Sequence, residues 1–157
     1  MGTASAATAE AALTFRWLGN SGFTLTDGKT TLLFDPAVSA TPVLSWLLPF
    51  QRVQSDPQEL DYWAGRCGIT KLDATFVNHT HTDHAIDAPS FVKKFGGLLI
   101  GSSSLRLLAL GHGVPESVIR VAKDRDTFTV GAFTVQAIVT PHAPHFANVL
   151  LADGDIA

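Results

Sequence analysis

The residues best suited to chemistry in this chain are clustered in the hexapeptide 79–84, His-Thr-His-Thr-Asp-His, which follows an apolar stretch typical of a strand. Neutral imidazole and carboxylate are good ligands for zinc and other borderline divalent metals. A short loop at the end of a strand can direct all four such side chains to one point. His79 and His81 are spaced to share one metal. Asp83 and His84 are placed to serve a second metal, or to handle an attacking water.

This hexapeptide resembles the signature of the metallo-β-lactamase-fold hydrolases. Residues 15–23 and 31–36 are similar to the opening strands of that fold, and the resemblance extends over residues 13–152. Within the superfamily the chain is similar to the branch of ascorbate-6-phosphate lactonases and N-acyl phosphatidylethanolamine phospholipase D. That branch often begins with a Leu-Gly-His turn and a strand ending in Asp-Pro. Here Asn20 stands where histidine is common, and the Asp-Pro pair is present at residues 35 and 36.

The resemblance implies an α/β fold, the metallo-β-lactamase-like αββα sandwich, of which this chain would supply the N-terminal half to two-thirds. Residues 1–12 are mostly small and predict a disordered tail. Residues 13–157 then form a single metallo-β-lactamase-like domain that is incomplete at its C-terminus, in keeping with a length of 157 residues.

Alternation of apolar residues and turn residues predicts the elements of the domain. Thr30–Phe34 is apolar on both faces and is therefore expected in the interior of a sheet. Asp56 followed by proline predicts a helix N-terminus, and that helix is expected to end at about Gly65. Two further helices are predicted at Ala88–Phe95 and Ser102–Leu110, the second stopped by Gly111. The other predicted strands are Leu13–Leu18, Phe23–Thr26, Ala74–Asn78, Leu98–Gly101, Val118–Ala122, Thr127–Val130, Phe133–Thr140 and Asn148–Ala152.

Residues 42–50, Pro-Val-Leu-Ser-Trp-Leu-Leu-Pro-Phe, are unusually apolar for a connection. They form either a short helix packed on the core, or instead an active-site wall or a patch that faces lipid or a partner. Both interpretations stay open. The three tryptophans, Trp17, Trp46 and Trp63, are expected to pack in the core, with Trp46 the candidate for touching substrate. His112, between two glycines, is expected in a surface turn.

A second histidine-containing segment, Pro-His-Ala-Pro-His, follows the predicted strand that ends at Thr140. The resemblance places the next metal ligand here, at His142, because the family histidine comes directly after a strand and before a small residue. His145 is the alternative ligand, and the histidine that does not bind the metal would line the pocket.

The resemblance also implies roles for these residues. His79, His81 and His142 hold the first metal, and Asp83 and His84 contribute to the second. Asp83 is in addition the catalytic candidate, placed to orient the water or to protonate the leaving group. The Asp35 carboxylate resembles the residue that steadies a ligand histidine.

This site predicts a metal-dependent hydrolase with two divalent ions, zinc first, with manganese or iron as alternatives. A hydroxide activated by the metals would attack a small-molecule ester, lactone or phosphodiester. Two other classes stay open. One is an iron-dependent oxidoreductase of the same fold, and the other is a non-catalytic module that binds a metal or a partner.

Composition limits the partners. Charged residues make up 16% of the chain, the net charge is −3, and the absence of a basic stripe argues against nucleic acid. The sequence has no run of eighteen apolar residues, so no membrane span is predicted. A homo-oligomer or a complementing chain is considered, because the incomplete fold would leave a sheet unpaired. Cys67, the single cysteine, is expected to be a small buried residue. A cytoplasmic location is favoured over an exported one only by the lack of a signal-peptide pattern.

Overall fold

The computed structural model describes residues 12–40 and 54–140 of the chain. Within them it forms a six-stranded sheet, a two-stranded hairpin and four α-helices. Four predictions fall outside the described residues: all but the last residue of the tail 1–12, the apolar segment 42–50, the candidate ligands His142 and His145, and the strand Asn148–Ala152. Among the described residues, no helix is long and apolar enough to cross a membrane.

The strands of the large sheet follow one another in chain order. They are β1 Thr14–Trp17, β2 Phe23–Thr26, β3 Thr31–Phe34, β4 Ala74–Phe76, β5 Leu98–Gly101 and β6 Ile119–Val121. β1, β2 and β3 pair antiparallel, whereas β3 to β6 pair parallel. The prediction that β3 lies in the interior of the sheet is therefore confirmed. The parallel strands are connected by helices, which confirms the mixed α/β class.

The four helices are α1 Pro57–Cys67, α2 Thr82–Ala85, α3 Ala88–Phe95 and α4 Ser103–Gly111. α1 begins as predicted, because the Asp56 side chain accepts the N–H of Gln58 at 2.8 Å. It ends two residues later than predicted, at Cys67, because the left-handed residue that terminates it is Gly68 and not Gly65. α4 likewise includes Gly111, and the left-handed glycine lies two residues further on.

Two further sequence predictions are wrong in detail. The last hairpin consists of β7 Thr127–Val130 and β8 Phe133–Gln136, and β8 does not continue to Thr140. Ala137 still exchanges backbone hydrogen bonds with Arg125 and Asp126, at 2.8 Å each, and residues 137–140 form no strand. The loop at residues 79–84 contains the short helix α2, which closes when the N–H groups of His84 and Ala85 both bond the carbonyl of His81.

The two faces of the large sheet carry different layers. Leu33 and Leu99 pack against the helices, whereas their neighbours Leu32 and Ile100 face the β7–β8 hairpin, because alternate residues of a strand point to opposite faces. Aromatic rings line the hairpin side in a row in which neighbouring ring centres lie 4.4–6.3 Å apart, formed by Phe15, Phe23, Phe34, Phe76 and Phe128. The order helices, sheet, second sheet is that of the first three layers of the predicted αββα sandwich.

Single residues of interest divide between core and surface. Cys67 is buried as predicted, and burial raises the pKa of its thiol. Trp63 is half-buried against the helix-side core, and His112 is exposed in a turn, as expected. The packing prediction is wrong for Trp17, which is 67% exposed. Its indole Nε1 donates to the carbonyl of Asn20 at 2.9 Å, so the polar edge of the ring is held in the turn beside β1.

Candidate metal centre

The histidine-rich loop leaves β4 at the carboxyl end of the parallel strands. Val77 continues the line of the strand, since its N–H donates to the carbonyl of Ile100 at 2.9 Å. Asp35 lies at the same end of β3, directly after the residue that pairs with Phe76. Because parallel strands bring their carboxyl ends to one edge of a sheet, these segments, distant in sequence, meet there.

The side chains of His79, Asp83 and His84 converge at this edge. One nitrogen from each histidine and one carboxylate oxygen lie within 4.8 Å of one another. The ring centres of His79 and His84 are 4.1 Å apart. Ligand atoms around a tetrahedral zinc are roughly 3.3 Å apart when the bonds are about 2.0–2.1 Å long. Two imidazoles and a carboxylate are a suitable donor set for zinc and related metals, so the residues present fit a divalent ion after modest side-chain rotation.

His81 lies beside this cluster. Its ring centre is 4.5 Å from that of His79, but among the described residues the group within 4.8 Å does not include it. The backbone of His81 begins α2 and accepts the N–H groups that fix the following turn. The geometry thus brings His79 together with Asp83 and His84, while the sharing of one metal by His79 and His81 stays a prediction.

Asp35 contacts His84 from the side opposite Asp83. Its Oδ2 lies 3.1 Å from Nδ1 of His84, although the two groups are not aligned well enough for a regular hydrogen bond. Its Oδ1 accepts the N–H of Asn78 at 2.7 Å. Nε2 of His84 lies 3.7 Å from Oδ2 of Asp83. The two ring nitrogens therefore face two carboxylates, with Asp35 on the buried side, which is how an outer carboxylate orients a ligand histidine.

The backbone of Asp35 is itself unusual. Its φ is 42°, in the left-handed region, which is uncommon for residues other than glycine and which aspartate and asparagine tolerate better than most. Such a conformation persists only where surrounding contacts hold it. Gly22 makes room for it, since a Cβ at that position would lie 2.9 Å from the carbonyl oxygen of Asp35.

The turn between β1 and β2 holds the other side of the loop. The side-chain amide of Asn20 donates to the carbonyl of Asp83 at 2.9 Å, and the hydroxyl of Ser21 donates to the same oxygen at 3.1 Å. Sequence reasoning noted Asn20 only as the residue that stands where histidine is common, and it did not single out Ser21. Asn and Ser are so common in turns that the sequence gives no sign when one of them also bonds a residue more than sixty positions away.

A cleft of about 440 Å³ separates the large sheet from the β7–β8 hairpin. Its walls are mainly aromatic and aliphatic. Asp35, Asn78 and Ser102 supply polar groups at the end nearest the carboxyl ends of the strands, and Thr140 also borders it. Pockets of this kind, largely apolar with a few polar groups, are typical of small-molecule sites. The candidate ligands His142 and His145 follow Thr140 in the chain and lie outside the described residues.

The layer order and the parallel strands are those of a metallo-β-lactamase-fold protein, and the cluster of His79, Asp83 and His84 could hold a metal ion. No protein-family model matches the chain. It is similar to a protein of Ruegeria sp. (strain TM1040) described as a UPF0173 metal-dependent hydrolase. The two are 29% identical over 134 residues, and this alignment covers 84% of this chain and 50% of that protein. The chain therefore spans half the length of this curated relative.

Solved structures agree on the fold. The Rm3 metallo-β-lactamase superposes with a TM-score of 0.53 at 21% identity, covering 76% of this chain and 45% of that one. CmlA, a diiron β-hydroxylase from Streptomyces venezuelae, superposes with a TM-score of 0.51 at 18% identity, covering 87% and 25%. The chain has the metallo-β-lactamase fold, as predicted. The lactonase and phospholipase branch stays a prediction.

Proposed function

We propose that this chain carries metal ligands of a metal-dependent hydrolase that cleaves an ester, lactone or phosphodiester. The observation that carries the proposal is the convergence of His79, Asp83 and His84, with Asp35 on the far nitrogen of His84. The similarity to proteins described as metal-dependent hydrolases supports the reaction class. The fold alone does not, because hydrolases and a diiron hydroxylase share it.

The proposed ligands are His79, His81, Asp83 and His84, together with His142 or, failing that, His145. A divalent cation bound by these residues supplies an activated water and neutralises charge that develops on the substrate. Zinc fits the nitrogen-rich donor set best, with manganese or iron as alternatives. Two-metal sites hold their ions about 3.5–4 Å apart, and the closeness of the His79 and His84 rings supports a pair of neighbouring sites here.

Asp83 is the proposed catalytic residue. Its side chain is 48% exposed, so one face of the carboxylate is open to water and substrate. Its backbone is fixed by Asn20 and Ser21, which prevents the carboxylate from drifting away from His84. A carboxylate held in this way can orient a water or pass a proton to a leaving group. We further propose a small-molecule substrate.

The test is metal content measured by elemental mass spectrometry on protein purified without chelator. His79→Ala is compared with His112→Ala, since His112 is an exposed histidine outside the cluster. We expect the first variant to lose the metal and the second to keep it. Loss of metal from both variants, or from neither, would contradict the proposed site.

Turnover is measured in parallel on a p-nitrophenyl ester, a γ-lactone and bis(p-nitrophenyl) phosphate. His81→Ala is expected to abolish both metal binding and hydrolysis of whichever class is cleaved. Full hydrolysis by that variant would overturn the assignment. Bound iron with oxygen consumption and no hydrolysis would indicate the oxidoreductase instead, and metal without any turnover would indicate a binding module.

A further inference from the structure

Asp87 is a fully buried acid that the proposed chemistry does not use. Its side chain is 0% exposed. Oδ2 accepts the N–H groups of Val38 and Ser39 at 2.7 Å each, and Oδ1 accepts the hydroxyls of Ser39, at 2.6 Å, and Ser55. Burying a carboxylate is costly unless its lone pairs are satisfied, and here four donors satisfy them. No basic side chain forms an ion pair with it among the residues described.

The position of Asp87 makes this arrangement unexpected. It is the residue before α3, where an aspartate ordinarily caps its own helix. Its side chain makes no such bond. The carboxylate instead bonds residues 38, 39 and 55. The hydroxyl oxygen of Ser39 in turn accepts the N–H of Asp56 at 2.7 Å. Asp87 therefore ties together segments that are distant in sequence, and its function is not to start the helix.

These segments lead directly to the metal centre. Residues 38 and 39 follow Asp35, whose left-handed backbone must be held by its surroundings. The N–H of Asp87 also donates to the carbonyl of Pro36 at 3.2 Å. Asp87 is therefore hydrogen-bonded to three residues just after Asp35, namely 36, 38 and 39. On its other side, Asp87 lies three residues after His84. Asp87 therefore lies near His84 in the chain and is hydrogen-bonded to the residues that directly follow Asp35.

We propose that Asp87 is a positioning residue of the metal centre: it fixes the Asp35 turn against the helix pair α2 and α3, and so sets the orientation of the His84 imidazole. The inference rests on the proposed function only in taking His84 as a metal ligand. It assigns Asp87 no contact with metal or substrate.

The test compares Asp87→Ala and Asp87→Asn with the matched pair Asp73→Ala and Asp73→Asn. Asp73 is also an acid that anchors β3, by accepting the N–H of Thr31 at 2.9 Å, but at the opposite edge of the sheet. Asn at position 87 can still accept the two backbone N–H groups, while its NH₂ donates to the two serine hydroxyls, which can rotate. Asp87→Asn is therefore the conservative variant, and it should keep much of the wild-type behaviour that Asp87→Ala loses.

Two readouts are made on the full chain at a temperature where all variants are folded. One is the zinc affinity by competition with a chromophoric chelator, and the other is the imidazole ¹⁵N–¹H correlation of His84 in metal-free protein. We expect Asp87→Ala to lower the affinity about tenfold or more and to shift the His84 signals. Asp87→Asn should change both the affinity and the His84 signals less, and the Asp73 variants should change neither.

Unchanged His84 signals in Asp87→Ala, or equal changes in Asp73→Ala, would overturn the inference. If the wild-type chain binds no zinc, the proposed function fails and the His84 signals alone decide the role of Asp87. A purely structural role would lower the unfolding temperature of both alanine variants without separating them in either readout.

Discussion

Nδ1 of His84 lies 3.1 Å from Oδ2 of Asp35, across the carboxyl ends of two parallel strands. The contact joins the end of β3 to the loop after β4, and leaves Nε2 on the side of Asp83. The side chain of His84 is 17% exposed and that of Asp35 9%. The pair therefore combines a sheltered carboxylate with an imidazole whose outer nitrogen reaches the ligand cluster.

Replacing Asp35 by Asn should weaken metal binding while preserving the fold. Asn tolerates the left-handed backbone and can still accept the N–H of Asn78, but it brings no negative charge to His84. Loss of such an outer carboxylate typically lowers metal affinity about 10- to 100-fold. Isothermal titration with zinc measures the change. Asp35→Ala should in addition lower the unfolding temperature, since alanine is strained at this φ, and equal unfolding temperatures for the two variants would argue against that strain.

Asn20 should matter through its side-chain donor. Asn20→Asp keeps the shape and the tolerance for a φ of 45°, but it places an acceptor against the carbonyl of Asp83. A lost hydrogen bond of about 0.5–1.5 kcal/mol corresponds to a loss of up to about tenfold in metal affinity. Ser21→Ala removes the longer bond to the same oxygen and should have a smaller effect. The order of the two affinities checks the assignment, and the reverse order would contradict it.

The histidine-rich loop after β4, the positions of most strands along the chain and the Asp56 cap were predictable because each depends on a local pattern. Spaced histidines after an apolar strand and Asp-Pro before a helix are such patterns. The supports of the centre were not predictable. Asn20 and Asp87 belong to types that usually serve their own turn or helix, and only the packed fold shows that their side chains bond segments dozens of residues away.

Two glycines should respond oppositely to alanine. At Gly22 a Cβ would lie 2.9 Å from the backbone of Asp35, so Gly22→Ala forces the turn and the site apart and should destabilise the fold by about 1–3 kcal/mol. At Gly65, inside α1, nothing lies within 4 Å, and Gly65→Ala should stabilise by about 0.5–1 kcal/mol. Urea unfolding measures both. A stabilising Gly22→Ala would show that the turn does not press on Asp35.

Cys67 should report on unfolding and on alkaline pH. Burial raises the pKa of its thiol above the ordinary value of 9.0. The folded chain then keeps a proton that the unfolded chain releases, so the stability from this group is complete below pH 9 and is lost as pH rises through the folded pKa. Thiol labelling at pH 8 should be slow until denaturant is added, because the reactive thiolate is both scarce and enclosed. Cys67→Ala should remove this alkaline slope, and a slope that survives in the variant would have to come from another group.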